Sequence, residues 1–267
     1  MLSLLTLNIQ AAAKPRAQAL LAWLDERADD LVILTETSTG EGTAYLLNQA
    51  RQAGLTIVKT PDPPGERGVA ILSRVPIIAR PDLAAGVTLP GRVAAATIPG
   101  EPDITVLGVY VPSSDRAPAK VARKRDFIAS LLAALKALPA TSKSRLVLGG
   151  DYNVIRRDHQ PSYRGFLPFE YAMLDTLDAH ALVDAQRLCS PGVQEHSWIG
   201  RSGNGYQFDY FHIGAELAGR LETCRYLHEP RERGLSDHAA VSLCLHMPVP
   251  AGLPIDASGM SGAGALF

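Results

Sequence analysis

Eight polar residues stand where apolar runs give out: Asn8, Glu36, Tyr110, Asp151, Asn153, Asp209, Asp237 and His238. Acids dominate the set, one histidine accompanies them, and no cysteine does. Oxygen-rich groups of this kind suit a hard cation, Mg²⁺ or Mn²⁺, which keeps several waters and takes one or two carboxylates plus substrate phosphate oxygens. Zinc would want more nitrogen or sulfur. The natural substrate of such a site is a phosphate ester, because a cation neutralises charge on the phosphoryl oxygens while a basic group activates water.

The elements that must hold these groups can be read from the hydrophobic pattern. The stretch Arg145 to Val154 is central: Leu146, Val147 and Leu148 form a buried-strand run, and Gly149 and Gly150 are expected to let the backbone turn before Asp151 and Asn153. If strand geometry continues, those two side chains share a face about 7 Å apart. The bland reading of the same residues is a turn whose Asp and Asn bond their own backbone. Residues 2–9 and 31–34 read as buried strands ending at Asn8 and Glu36, with a helix between them opened by Pro15 and carrying Leu20, Leu21, Leu24 and Ala28 on one side. A further helix fits Glu41 to Gln52, and strands fit 55–58, 68–74, 76–79, 93–98 and 104–111, the last ending at Tyr110. The best helical period runs from Pro118 to Leu138; its Lys120, Arg123, Lys124 and Arg125 are read as a solvated face. Later come a helix over 169–179, a segment at 181–183, and strands over 207–213, 225–228 and 239–245. Asp209 shares its face with Phe211 and Ile213, and an acid on so apolar a face needs a partner. Asp237 and His238 can serve one pocket only if the backbone bends there, which Gly234 and Ser236 allow.

Composition narrows the class further. At 267 residues the chain can bury a substantial core, and residues 1–247 are expected to form one domain, with 248–267 as a disordered tail of Pro, Gly, Ala and Ser. The net charge of −1 and pI near 6.7 advertise no global basic field, so any nucleic-acid binding must rest on a local patch. Cys189, Cys224 and Cys244 are an odd count without CxxC spacing, so neither a disulfide framework nor a zinc site is indicated, and a cytoplasmic location with reduced thiols is expected. The apolar start lacks a basic region and is interrupted at Asn8 and Gln10, and no run reaches membrane-spanning length.

In order, Thr6-Leu-Asn8, Leu34-Thr-Glu36, Gly68-Val-Ala-Ile-Leu-Ser-Arg74, Gly108-Val-Tyr-Val-Pro112, Gly149-Gly-Asp-Tyr-Asn153, Ser197-Trp198, Phe208-Asp-Tyr210 and Ser236-Asp-His238 resemble the endonuclease/exonuclease/phosphatase superfamily. Within it they look most like the exodeoxyribonuclease III branch, which includes the abasic-site endonucleases. The resemblance runs from about residue 1 to 246, and its specificity lies in the joint order of the motifs. It implies an α/β fold of four layers, αββα, in which two mixed, largely antiparallel sheets are flanked by helices as in deoxyribonuclease I. It also implies roles. Glu36 would be the principal Mg²⁺ ligand (Mn²⁺ serving as well), with Asn8 and Asp237 helping to place the metal. Asp151 would orient or deprotonate the attacking water, and Asn153 would hold a phosphate oxygen. His238, oriented by Asp209, would bond the scissile phosphate, and Tyr110 would contact the phosphate or the leaving oxygen.

Two features bear on the substrate. Between Trp198 and Asp209 glycines replace much of the longer aromatic segment of the abasic-site enzymes. Arg156 and Arg157, with Arg201, Arg231 and Arg233, could supply a local phosphate patch, and Trp198 joins Arg156 and Arg157 as an expected substrate-binding residue. The leading expectation is a Mg²⁺-dependent phosphodiesterase of the exodeoxyribonuclease III type acting on DNA, with no obligate protein partner. The alternative is a phosphoesterase for a small or lipid-linked phosphate, motivated by the near-neutral charge and the short loop. A non-catalytic binding module on the same fold is a third class, disfavoured because no signature position is missing.

Overall fold

The structure is a computed structural model that describes residues 1–61, 63 and 65–249. Two six-stranded sheets carry the fold. The first is built from β1 (Leu2–Asn8), β2 (Leu31–Thr37), β3 (Thr56–Lys59) and β4 (Gly68–Ser73), joined later by β13 (Leu221–Leu227) and β14 (Ala240–Leu245) in the order β13-β14-β1-β2-β4-β3. The second contains β5 (Ile78–Ala79), β6 (Val93–Ile98), β7 (Ile104–Tyr110), β8 (Leu146–Asp151), β9 (Val183–Asp184) and β12 (Asp209–Ile213) in the order β5-β6-β7-β8-β12-β9. A two-stranded ribbon, β10 (Trp198–Ile199) with β11 (Gly205–Tyr206), belongs to neither sheet but is bridged at Trp198 to His238, just before β14.

Each sheet has one parallel pair among antiparallel neighbours: β1 with β2, and β7 with β8. Parallel neighbours need a crossover, usually helical. Helix α1 (Lys14–Arg27) supplies the first; α3 (Pro118–Ala137) with the short α4 (Ala140–Ser144) supplies the second. Helix α2 (Glu41–Gln52) packs beside α1, and α5 (Pro168–Ala179) beside α3. Consequently the C-terminal ends of four core strands open at one end of the molecule.

The core lies in three slabs. Leu4, Ile33, Val69, Val106, Val147, Phe211 and Val241 fill the space between the sheets. Leu20, Trp23, Leu46 and Leu47 seal α1 and α2 on the outer face of the first sheet, while Phe127, Leu131, Met173 and Leu177 seal α3 and α5 on the second. The expected four-layer αββα sandwich is the fold.

Several local expectations need correction. In α1, Trp23 rather than Ala28 is buried; Ala28 is the left-handed residue that ends the helix. The backbone does not turn at Gly149 and Gly150 but stays in β8 up to Asp151. A Cβ on Gly149 would lie 2.4 Å from the Phe211 ring, and one on Gly150 would lie 1.9 Å from the Val109 carbonyl oxygen, so glycine is demanded by close packing. Lys124 is not on the solvated face of α3 but buried beneath it. Pro248 and Val249 lie against Leu2 and Ile98 at the far end of the sandwich, and the remainder of the expected tail, residues 250–267, falls outside the described residues.

A buried polar knot under the second sheet gives a pH prediction. His212 stacks with Tyr152 and lies 3.2 Å from the Arg156 guanidinium; burial holds its pKa down to about 4, with Asp184 opposing and Arg156 reinforcing the shift. The unfolded chain, whose histidine titrates near 6.5, binds a proton that the folded protein refuses between about 6.5 and 4, so stability falls as pH drops through that window by up to about 1.4 kcal/mol per unit. Urea midpoints measured from pH 7 to 4 should show this acid limb, and it should flatten in His212→Gln.

Candidate active site

The strand ends converge at the open end of the sandwich. Asn8 closes β1 and its Nδ2 donates to Glu36 Oε1 at 3.1 Å and to Asp151 Oδ2 at 2.9 Å. Tyr110 closes β7 and its hydroxyl donates to the same Glu36 oxygen at 2.9 Å. Glu36 sits at φ 53° where the β2–β4 register slips, so the strand leaves it unpaired and aims its side chain into the opening. Asn153 is likewise left-handed, at φ 50°. That turn folds the carboxamide back onto Asp151 Oδ2 at 3.1 Å, while its backbone N–H donates to Asp151 Oδ1 at 2.9 Å. The two side chains therefore touch instead of standing apart along a continuing strand. Non-glycine residues at positive φ are uncommon and are retained where a site needs them.

On the other side of Asp151 lies the buried pair of Asp209 Oδ2 and His238 Nδ1, 2.6 Å apart, with His238 at the cleft. Asp209 starts β12 directly opposite Asp151. Its N–H and that of Phe208 donate to the buried Ser197 hydroxyl. His238 is held by the bend expected at Ser236: the Ser236 hydroxyl donates to the Asn8 carbonyl at 2.6 Å and accepts from the His238 N–H at 3.0 Å. The bonds Asn8–Asp151, Tyr110–Glu36 and Asp209–His238 each join one sheet to the other.

Burial drives the charges. It pushes the Asp151 carboxyl up, and the Asp209 carboxylate adds to this against the opposing His238, to about 8. Burial disfavours the His238 cation, yet the Asp209 carboxylate outweighs it and the pKa rises to about 10. The pair is thus an imidazolium on a carboxylate at neutral pH. The Tyr110 phenol is held well above its usual range, by burial first and then by the Glu36 and Asp151 carboxylates, so it stays a hydrogen-bond donor.

The donor set fits a hard cation. Asp237 presents a buried Oδ1 with no partner among the described residues, its Oδ2 being held by Trp198 Nε1 at 3.1 Å. Asp237 and Glu36 both line the cleft, and a carboxylate oxygen without a partner beside a second carboxylate is what a Mg²⁺ site offers. Asp151, Asp209 and His238 also bring ligand-type atoms within 4.8 Å of one another. The short Asp209–His238 bond already consumes the imidazole Nδ1, so that trio acts as a hydrogen-bonded acid–base cluster. Asn8 gives its amide to two carboxylates and its oxygen to the Gln10 N–H, which makes it a clamp on Glu36 and Asp151 in this geometry.

Of these groups Glu36, Asn153, Asp237 and His238 line a cleft of about 420 Å³ bounded by Phe166, Trp198, Tyr206 and Phe208, with Asn8, Tyr110, Asp151 and Asp209 buried behind them. Despite its glycines, the segment before Asp209 does deliver bulk: β10 and β11 pair Trp198 with Tyr206, and Phe208, Tyr206 and Tyr163 stack in sequence at 5.2 and 4.3 Å. Phe166 and Tyr163 come from the loop before α5, a contribution that no local motif announces. Arg156 and Arg157, by contrast, do not line this cleft. Arg156 is drawn to Asp178 and Asp184, and Arg157 to Asp175, because those acids lie on the neighbouring edge of the second sheet and on α5. Arg231 donates to the carbonyls of His196 and Ser197, and Arg233 pairs with Glu229.

Lys124 is the residue that the sequence hid. From α3 its ammonium reaches the Asn153 carbonyl at 2.6 Å and Glu170 Oε1 at 2.5 Å, and it lines the cleft floor. Burial lowers its pKa against the opposing Glu170.

The sequence of residues 5–241 matches the Endonuclease/Exonuclease/phosphatase family. The chain belongs to that family. Its members, as the name states, include nucleases and phosphatases, so this protein is a phosphoric-ester hydrolase by family. Among solved structures it is similar to an AP endonuclease from Archaeoglobus fulgidus, with 22% identity, a TM-score of 0.78 and coverage of 92% of this chain and 100% of the other. It is also similar to the 3′-5′ exonuclease NExo from Neisseria meningitidis, with 22% identity, a TM-score of 0.77 and coverage of 92% and 100%. A structure of the Neisseria 3′ phosphatase NExo bound to a product DNA hairpin scores 0.76 at 21% identity, with coverage of 92% and 99%. These likenesses establish the shared fold. No curated protein matches the sequence. Among the described residues no helix is long and apolar enough to cross a membrane.

Proposed function

We propose that this chain is a cytoplasmic, Mg²⁺-dependent phosphodiesterase of the exodeoxyribonuclease III type acting on DNA, its catalytic domain spanning residues 1–247. The observation that carries the reading is the linked set Asn8, Glu36, Tyr110, Asp151 and Asn153 beside the Asp209–His238 pair, beneath an aromatic-walled cleft. Glu36 and Asp237 would hold the cation, which when bound neutralises negative charge on the phosphate oxygens. Asp151 takes the proton of the attacking water as its oxygen bonds to phosphorus and the bond to the leaving oxygen breaks. Its elevated pKa suits a base working near neutrality. The His238 imidazolium, kept charged by Asp209, donates to a non-bridging phosphate oxygen. Asn153 holds a second phosphate oxygen, and the Tyr110 hydroxyl lies ready for the leaving one.

DNA is favoured over a compact phosphoester by the aromatic wall, which offers faces for an unstacked nucleotide. The guanidinium groups of Arg67, Arg164 and Arg201 have no partner among the described residues, and they flank, respectively, the Glu36 strand, the Phe166 loop and the β10–β11 ribbon. Plasmid, nicked, abasic and single-stranded DNA in Mg²⁺ should be cut by the protein and spared by Glu36→Ala and His238→Ala. Cleavage of none of them would sink the reading. Phosphate release from small or lipid-linked esters without DNA cleavage would favour the alternative, whose support is the near-neutral net charge and the pairing of Arg156 and Arg157 away from the cleft. Removing one wall ring in Phe166→Ala should raise KM for DNA about tenfold with kcat little altered, since stacking on one base is worth about 1–3 kcal/mol.

A further inference from the structure

Arg92 stands outside every motif, yet it is buried directly behind the cleft. Its guanidinium carbon lies 4.4 Å from the centre of the Tyr110 ring, and its Nη1 lies 3.5 Å from the Tyr110 carbonyl. Nη2 pairs with Glu66 Oε2 at 3.5 Å, and Arg123 pairs with the same oxygen. The Arg92 Nε is buried with no partner among the described residues. A guanidinium with an unmet N–H in so dry a place is costly. A bond to the Tyr110 carbonyl and an ion pair with Glu66, both at the long limit of 3.5 Å, do not account for that cost, whereas a planar cation laid on an aromatic face is a favourable contact that requires this placement. The same ring carries the hydroxyl that donates to Glu36 at 2.9 Å.

We propose that Arg92 is a positioning residue: by stacking on the Tyr110 ring it holds the phenol in the orientation that bonds Glu36, and so fixes the carboxylate expected to hold the cation. The positive charge on the ring face also withdraws electron density from the phenol, which makes its hydroxyl a stronger donor to the carboxylate. Arg92 touches no reacting atom and acts only through Tyr110. The inference rests on the reading of the cleft as a hydrolytic, cation-dependent site.

A double-mutant cycle separates this from a structural role. DNA cleavage rates in Mg²⁺, and Mn²⁺ affinity followed by electron paramagnetic resonance, are measured for the wild type, Arg92→Leu, Tyr110→Phe and the double variant. Phenylalanine keeps the ring under the guanidinium and removes the hydroxyl. In the wild-type background Arg92→Leu should lower kcat about tenfold with KM little changed, and it should weaken Mn²⁺ binding; in the Tyr110→Phe background it should cost less than about twofold. The same factor in both backgrounds, or no change in either, overturns the proposal. Should Arg92→Leu fail to fold, Arg92→Lys enters the same cycle, because it keeps the charge and loses the flat face. A wild-type protein that cuts no DNA would count against the functional reading, and the Mn²⁺ cycle, which needs no substrate, then decides Arg92 alone.

Discussion

Exchanging Asp151 for asparagine should lower DNA cleavage by about 10³-fold, within the range expected for loss of a positioned general base. Asp151 receives three hydrogen bonds, from Asn8 and twice from Asn153, and it alone of the carboxylates sits between the Glu36 side and the Asp209–His238 side. The substitution removes the proton acceptor but keeps the shape. The loss should therefore appear in kcat, with KM and Mg²⁺ requirement altered far less. Glu36→Ala supplies the contrast: its loss should be accompanied by a markedly weakened Mn²⁺ affinity, because Glu36 offers a carboxylate oxygen at the cleft. Single-turnover rates together with metal titration read both quantities. Equal metal defects in the two variants would contradict the separation of base from ligand.

Lys124→Met should destabilise the fold by about 3 kcal/mol, the scale for breaking a buried ion pair and stranding its partner charge. Glu170 is buried at the start of α5, where its Oε2 accepts from the Leu167 N–H at 2.7 Å, so it cannot simply turn to water. The double variant Lys124→Met with Glu170→Gln removes both charges and keeps that cap, and most of the stability should return in urea unfolding. Activity should not return with it. The Asn153 carbonyl loses its ammonium in both variants, and with it the tether on the left-handed turn that presents the carboxamide. Recovery of stability and activity together would mean that Lys124 is only a packing element.

The site was legible largely because strands are. A buried strand announces itself as a short apolar run, and the polar residue that closes it stands at the sheet's end, where strands can converge; Asn8, Glu36, Tyr110 and Asp151 are legible in that way. That Asp209 has a partner followed from one physical demand, that an acid on an apolar face find one; that the partner is His238 came from the resemblance. Groups whose meaning depends on distant partners were hidden. Lys124 sits in a run of cations that any helix might expose, and only the arrival of Glu170, 46 residues on, draws it inward. Arg156 is the reverse case: its neighbours in sequence place it near Asp151, but Asp178 and Asp184, 22 and 28 residues downstream, take it away. The aromatic wall is divided between two loops, so neither half looked like a surface. Glycines 149 and 150 misled because the same freedom that permits a turn also permits close packing.

Three of the bonds that shape the site run across the gap between the sheets, from Asn8 to Asp151, from Tyr110 to Glu36 and from Asp209 to His238. No half of the sandwich owns a complete reaction centre. On the reading proposed for the site, a chain whose layers have come apart is therefore chemically silent: its parts meet only when β14, the last strand among the described residues, docks and brings His238 to its acid.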